Sequence, residues 1–356
     1  MRQDILKFWN YSPVDKPIYK DKFCEEPFKT LQIDEDGDVM LCGCANHMPY
    51  VIGNIYQDTL YNIWNNSQAS RVRQAVTDGN FTYCSWNCTA LANLPDTPSI
   101  LPQASDFPSV IHINLDRSCN LKCPSCREHV IIEKNNDKIH TQIKLFDELV
   151  SRAKANPSQV LSLIPIASGD VFASHSGLKF LESLQDYPHD NLKLQITTNG
   201  TLIKKNQKLL QKIRSSLARV AVSIDAATPE TYALVRGGNW QDLLDGLQII
   251  TDLGIRPSVR FVVQKNNYHE IEQFAELVNK FKVNSIYYAN LEDWGHWTIQ
   301  WWHDNNVFDR NRDTFDQALD MLEHVIERYS DHIVLSAVLK KYLTKRNIDK
   351  AQSTVV

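Results

Sequence analysis

From residue 110 onward the chain alternates between two apolar patterns. Short runs dense in Val, Ile and Leu at 110–115, 160–167, 192–197, 218–224, 258–263 and 285–289 have the length and β-branched content of buried strands. Between them, apolar residues recur three and four apart, as on one face of a helix: Ile143, Phe146, Leu149 and Val150, then Leu209, Leu210 and Ile213. Trp240, Leu243, Leu244 and Leu247 continue the series, followed by Ile271, Phe274, Ala275 and Val278. Six strand-helix units joined by right-handed crossovers predict parallel strands in an open barrel. The expected fold class is therefore α/β, a partial (β/α)6 TIM-type barrel over 110–290.

The flanks read differently. Residues 31–42 pattern as a small hairpin with Asp36-Gly37 at the tight turn, and a helix is expected around Leu60, Ile63 and Trp64. Residues 1–93 are thus a small N-terminal α+β domain, and the polar, Pro-rich stretch 94–109 is a linker. After residue 290 the chain becomes aromatic. Glu292, Trp294, His296, Trp297, Trp301, Trp302 and His303 fall within twelve residues and read either as a cap over the barrel or as walls of a substrate cavity. Phe315, Ala318, Leu319, Leu322, Ile326 and Tyr329 make a helical stripe, so 291–356 is a cap with C-terminal helices. Residues 333–343 are a last helix, or a short strand followed by one.

Charge and cysteine content narrow the function. With 38 basic against 42 acidic side chains and a formal charge of -4, no dedicated nucleic-acid surface is expected. No run reaches the length of a membrane span and the start does not resemble a signal sequence, so a cytoplasmic protein is expected. A disulfide framework does not suit a chain of 356 residues without export signals, and its eight cysteines point to metal or cluster binding.

Three of them stand together as Cys119-Asn-Leu-Lys-Cys123-Pro-Ser-Cys126, just after the first strand of the alternation. Thiolates suit zinc or iron-sulfur clusters. With His129 the set makes a Cys3His zinc site, and an inert core cluster is the other ordinary reading. Against both, the loop after a barrel strand is where reactive groups gather.

The motif resembles that of the radical S-adenosylmethionine (SAM) superfamily, whose three-cysteine loop follows the first barrel strand. The resemblance implies a [4Fe-4S] cluster on Cys119, Cys123 and Cys126 with one iron open to the amino and carboxylate groups of SAM, and electron transfer that yields a 5'-deoxyadenosyl radical. It places the glycine-rich, acidic SAM motif at Ser168-Gly169-Asp170, where the family's usual form is Gly-Gly-Glu. The ends of the third and fourth strands, Thr198 and Asn199 with Ser223 and Asp225, would face the methionine and ribose portions. Asn199-Gly200 also suits a plain turn, and Asp225 a helix start. Arg236 joins the cofactor set, as does Arg260, whose partner would be the SAM carboxylate or Asp225. Ser125 stands where the family often has an aromatic residue on adenine, leaving the backbone near Val262 or Val263 to hold the base.

The five upstream cysteines resemble the auxiliary-cluster domain SPASM or its shorter relative, twitch. Gly37 and Cys42 reproduce its glycine, four residues, cysteine pattern, Gly53-Asn54-Ile55 precedes a helix as it does there, and Cys84-Ser-Trp-Asn-Cys88 closes the set. The resemblance implies a second [4Fe-4S] cluster on Cys24, Cys42, Cys84 and Cys88. Cys44 is left over as an alternative ligand, a buried small residue, or a catalytic thiol facing the substrate. Such domains commonly follow the radical core, whereas this one precedes it.

Proteins with this two-part arrangement often oxidise, crosslink or epimerise ribosomally made peptides, and the alternative is oxidation or epimerisation of a small carbohydrate-like or amino-acid-like metabolite. The resemblance thus implies a radical SAM oxidoreductase or maturase. Expected partners are an external electron donor such as flavodoxin or ferredoxin and a precursor peptide with a separate leader-binding protein. Glu292 and His296, four apart, share a face if helical and are candidates to move a proton. The non-catalytic alternative is an iron-sulfur or zinc scaffold or redox sensor.

Overall fold

A computed structural model describes residues 13–44, 47–86, 88, 90–91, 94–133, 136–166, 168–185, 187, 190–292 and 297–353. Trp294 and His296 lie outside these described residues. Contacts divide the chain into two compact units: Met1–Ser118, Ile132–Ile196 and Ser215–Ala218 form one, and Cys119–Ile131, Thr197–Arg214 and Arg219–Val356 the other.

In the first unit, β1 (Thr30–Ile33) turns through Asp34 to Gly37 into β2 (Asp38–Met40), and β3 (Gly53–Asn54) pairs antiparallel with β2. The turn is built by its residue types. Asp34 Oδ1 accepts from the backbone N–H groups of Asp36 and Asp38, both at 2.9 Å, and Gly37 supplies the left-handed φ of +82°. β1 also pairs in parallel with β4 (Val110–Ile113), Thr30 opposite Val110 through Ile33 opposite Ile113. Segment 24–54 and the first barrel strand therefore share one sheet, a pairing that no sequence pattern announced. β5 (Leu161–Pro165) and β6 (Leu192–Thr198) extend it in parallel, β6 ending in the second unit. Period-two alternation buries Leu31, Ile33, Ile111, Ile113 and Leu163 completely. Helices Asp137–Ala155 and His175–Ser183 meet through Phe146 and Phe180, stacked 4.2 Å apart. Segment 94–109 is tied down, with Trp64 Nε1 donating to the Ser105 carbonyl at 2.7 Å and Ser109 N to Lys29 O at 3.0 Å.

In the second unit, β7 (Leu217–Ser223, from Arg219 onward), β8 (Ser258–Val263), β9 (Ser285–Asn290) and β10 (Ile333–Leu335) run parallel in that order. The tail thus contains a short strand followed by helix Ala337–Ser353. Val222, Phe261 and Tyr288 are fully buried on one face. Helix Ile271–Asn279 covers that face through Phe274, 4.7 Å from Phe261. Helix Asp313–Tyr329 buries Ala318, Leu319, Leu322 and Val325, so its stripe runs on to Val325, with Ile326 only half-buried.

Strands β4 to β9 are each followed by a helix, which is the α/β partial (β/α)6 barrel the alternation predicts. Among the described residues no helix is long and apolar enough to cross a membrane.

Candidate functional site

Within the second unit the three-cysteine loop is held at both ends. Cys119 N donates to Ile131 O at 2.7 Å, and Cys126 N and Arg127 N both donate to Cys123 O, at 2.9 and 3.1 Å. Cys123 is buried, Cys119 half-buried and Cys126 exposed. Cys123 is an electrostatic neighbour of both other thiols, and burial pushes the Cys123 thiol up, opposed by the Arg236 guanidinium.

Two cations attend the thiols. Arg127 is nearly buried and hydrogen-bonded to Cys126, and the thiols hold its guanidinium above its ordinary range against desolvation. Arg236 is raised in the same way by Cys123, Asp225 and Cys119. Sequence reasoning missed Arg127, although its position directly after the third cysteine was the signal for it. Asn199 Nδ2 lies 3.8 Å from Cys119 Sγ and donates to Asn120 Oδ1 at 2.9 Å, while Asn120 Nδ2 donates to Thr201 Oγ1 at 3.0 Å. Thr198, at the end of β6, accepts from Gly200 N at 3.1 Å. The Asn199-Gly200 turn is thus wired to the cysteine loop.

Asp225 closes the other side of this unit's site. It does not start a helix: Thr228 is the cap, and Asp225 takes a left-handed φ of +60°, unusual for a non-glycine residue and common at functional sites. Its Oδ2 accepts from Arg236 Nη1 at 2.9 Å and its Oδ1 from Val262 N at 2.7 Å. Asn267 bridges the Asp225 and Val262 carbonyls at 2.8 and 2.9 Å. Burial raises the Asp225 carboxyl while Arg236 pulls it back. Asp225 is therefore the ion-pair partner of Arg236 and not of Arg260. Ser223 stands beside Arg260 across the β7–β8 ladder. Glu292 is in irregular structure, and His296, its expected partner on a shared helix face, lies outside the described residues. Its carboxyl is pushed upward by surrounding protein.

In the first unit, Asp170 N donates to Ser118 O at 2.7 Å and the Asp170 carboxylate accepts from Phe172 N at 3.0 Å. Ser168 is exposed. Asp116, fully buried just after β4, accepts from Ser118 N at 2.7 Å, from Ser176 Oγ at 3.1 Å and from Ser174 Oγ. Gly169 has no space for a side chain, since a Cβ would sit 2.4 Å from Ser118 O. Gly169→Ala is expected to cost about 1–3 kcal/mol by overpacking, read as a lower urea midpoint at unchanged slope.

The same unit gathers Cys24, Cys42, Cys44, Cys84 and Cys88 around a cavity of about 240 Å³ that Glu26 and His47 also line. Cys88 is an electrostatic neighbour of Cys24, Cys42 and Cys84, whereas Cys44 adjoins Cys42. Burial raises the Cys24, Cys42, Cys84 and Cys88 thiols, Cys24 to about 11 and Cys84 to about 12. Fully buried Lys16, which donates to Val14 O at 2.9 Å and Phe81 O at 3.3 Å, opposes the shift at Cys84. The volume is about eight times a water molecule's share of the liquid, and soft thiols surround it, so the residues fit a cluster better than a single ion. Among the described residues no three His, Cys, Asp or Glu side chains converge on a point as ligands of one metal ion would.

Comparison with known proteins decides between the readings. Residues 113–278 match the radical SAM superfamily, and residues 24–89 match the SPASM iron-sulfur cluster-binding domain. The chain carries a radical SAM domain. A SPASM domain, of the iron-sulfur cluster-binding kind, stands ahead of that radical SAM core. Curated relatives include GTP 3',8-cyclase of Alkaliphilus metalliredigens, 29% identical over 47% of this chain and 51% of its own length. A probable GTP 3',8-cyclase of Saccharolobus islandicus is 25% identical over 52% of this chain and 58% of its own. The chain spans about half the length of these relatives. Among solved structures, Streptococcus suis SuiB bound to its precursor peptide SuiA has a TM-score of 0.44 at 15% identity, covering 78% of this chain and 64% of that one. Native anSMEcpe with bound AdoMet has a TM-score of 0.45 at 16% identity, covering 64% and 63%.

Proposed function

We propose that this radical SAM protein reductively cleaves SAM to a 5'-deoxyadenosyl radical that abstracts hydrogen from a ribosomally made peptide, giving oxidation, a crosslink or an epimer. The observation that carries the chemistry is a loop of three soft thiols without a fourth protein ligand among the described residues. His129, the candidate fourth, is an exposed side chain 3.8 Å from Glu128. When bound, the reduced cluster supplies the electron that cleaves SAM.

This chain's own residues then have separable tasks. Cys119, Cys123 and Cys126 hold a [4Fe-4S] cluster, with Arg127 and Arg236 balancing its charge. The backbone of Gly169 orients the amino group of SAM, and Thr198, Asn199, Ser223 and Arg236 orient its methionine and ribose portions. Asp225 acts by fixing Arg236 and the Val262 backbone, as its hydrogen bonds support. Cys24, Cys42, Cys84 and Cys88 hold an auxiliary [4Fe-4S] cluster within a domain at 1–93, leaving Cys44 as a thiol able to return a hydrogen atom. Glu292 moves a proton in this reading, which its position as an electrostatic neighbour of Tyr287 supports. A flavodoxin- or ferredoxin-type donor supplies the electron, and a separate protein presents the peptide leader.

The pairing of a radical SAM core with a SPASM domain supports the peptide reading. The similarity to GTP 3',8-cyclases favours a second one, a small metabolite such as a nucleotide. Deuterated substrate separates them. Incubated with SAM and reductant, a labelled precursor peptide encoded near this gene is expected to pass deuterium into 5'-deoxyadenosine, and transfer from labelled GTP alone would overturn the peptide reading.

The auxiliary site makes its own prediction. Cys84→Ala is expected to lower the iron content of the reconstituted protein by about four per chain, whereas Cys44→Ala retains it. Equal loss in both would make Cys44 a ligand.

A further inference from the structure

The sheet of the second unit has two chemically different faces. One, carrying Val222, Phe261 and Tyr288, is fully buried, and Tyr288 Oη donates to Ile271 O at 2.8 Å. Period two puts Ser223, Ser258, Arg260, Ser285 and Tyr287 on the other. The register sets Ser223, Arg260 and Tyr287 side by side across β7, β8 and β9. Arg219, four residues before Ser223 on the same strand, shares that face.

Two guanidinium groups thus stand on one polar face, and among the described residues neither takes part in an ion pair. Asp225, the acid that neighbours Arg260, is committed to Arg236 Nη1 and Val262 N. Glu292 neighbours Tyr287 but makes no ion pair among the described residues. Arg260 Nε is buried without a hydrogen-bond partner among the described residues, and the electrostatic neighbours of this side chain are Arg219, which repels it, then Tyr287 and Asp225. Arg219 is exposed and Arg260 half-buried, and a cation held partly out of water without a counter-ion is costly. The planar fork of arginine matches two oxygens of a carboxylate or phosphate, and such a group between two arginines would turn their repulsion into attraction.

We propose that Arg219, Arg260 and Tyr287 form a subsite for an oxyanion, a carboxylate or phosphate, carried by the substrate and not by SAM. Arg236 is the arginine of this group adjacent to Cys119 and Cys123, and so the one near a cofactor held on that cluster. The inference rests on the radical SAM reading for the existence of a substrate. It narrows that substrate to one with an acidic group: a C-terminal or side-chain carboxylate on a peptide, a carboxylate or phosphate on a metabolite.

Isothermal titration calorimetry on the reconstituted protein tests it with three titrants: glutarate, inorganic phosphate and SAM. At least one anion is expected to bind, and the one preferred distinguishes a carboxylate-bearing from a phosphate-bearing substrate. Arg260→Gln and Arg219→Gln should each weaken that anion at least tenfold while SAM affinity changes less than twofold. Arg260→Lys keeps the charge without the fork and should lose less than Arg260→Gln, which separates anion recognition from misfolding. Absence of anion binding, anion binding unchanged in both glutamine variants, or a tenfold loss of SAM affinity in Arg260→Gln would each overturn the proposal. A wild-type protein that binds the anion through these arginines but not SAM would instead overturn the radical SAM reading and leave the subsite standing.

Discussion

Cys123→Ala is expected to lower the iron content of the reconstituted protein from about eight to about four per chain and to reduce SAM cleavage by more than the roughly 100-fold that losing an outer-shell partner costs. Cys123 is the buried member of the three and neighbours both other thiols as well as Arg236, so its loss removes a ligand and leaves a buried cation with one fewer partner. The auxiliary site draws on other residues, and its four irons should remain. Iron and sulfide counting with 5'-deoxyadenosine quantification checks both halves. An unchanged iron content would remove Cys123 from the ligand set, and about one zinc per chain in the wild type would replace the cluster reading altogether.

Asp225→Ala should be the most destabilising single change in the second unit. It leaves Arg236 and the Val262 amide without their acceptors at a side chain only 3% exposed. Removing one partner of a buried ion pair costs about 3–5 kcal/mol. The metal-free protein should therefore melt roughly 10 °C lower, a readout independent of turnover. Asp225→Asn keeps an acceptor for Val262 N and loses the charge, so it should recover part of the melting temperature but less of the affinity for SAM. If Asp225→Ala melted within about 2 °C of wild type, the pair would not be holding the ends of β7 and β8 together.

The strands and helices were legible because burial imposes a period. Apolar runs located β4 to β9, and the three- and four-residue spacing located the helices over them. The pairing of β1 with β4 was hidden: Thr30–Ile33 reads as one arm of a hairpin, and nothing in a single strand tells which other strand will take its free edge. At the site, the thiols were legible from their spacing. Their electrostatic surroundings were not, because partner choice between charges far apart in sequence is a tertiary matter. The sequence offered Asp225 as a partner for Arg260, whereas the folded chain, with its left-handed turn at Asp225, sets that carboxylate against Arg236. Asp116 gave no signal either, since an acid after a strand is ordinary; only the convergence of Ser118, Ser174 and Ser176 on it reveals its part in fixing the start of the cysteine loop.

The central claim is that Cys119, Cys123 and Cys126 hold a cluster that activates SAM. The most direct measurement is anaerobic reconstitution with iron and sulfide, reduction, addition of SAM, and quantification of 5'-deoxyadenosine and methionine. Equal amounts of the two products, absent when the three cysteines are replaced by alanine, are the predicted result. Intact SAM in the presence of a fully loaded, reduced protein would contradict it.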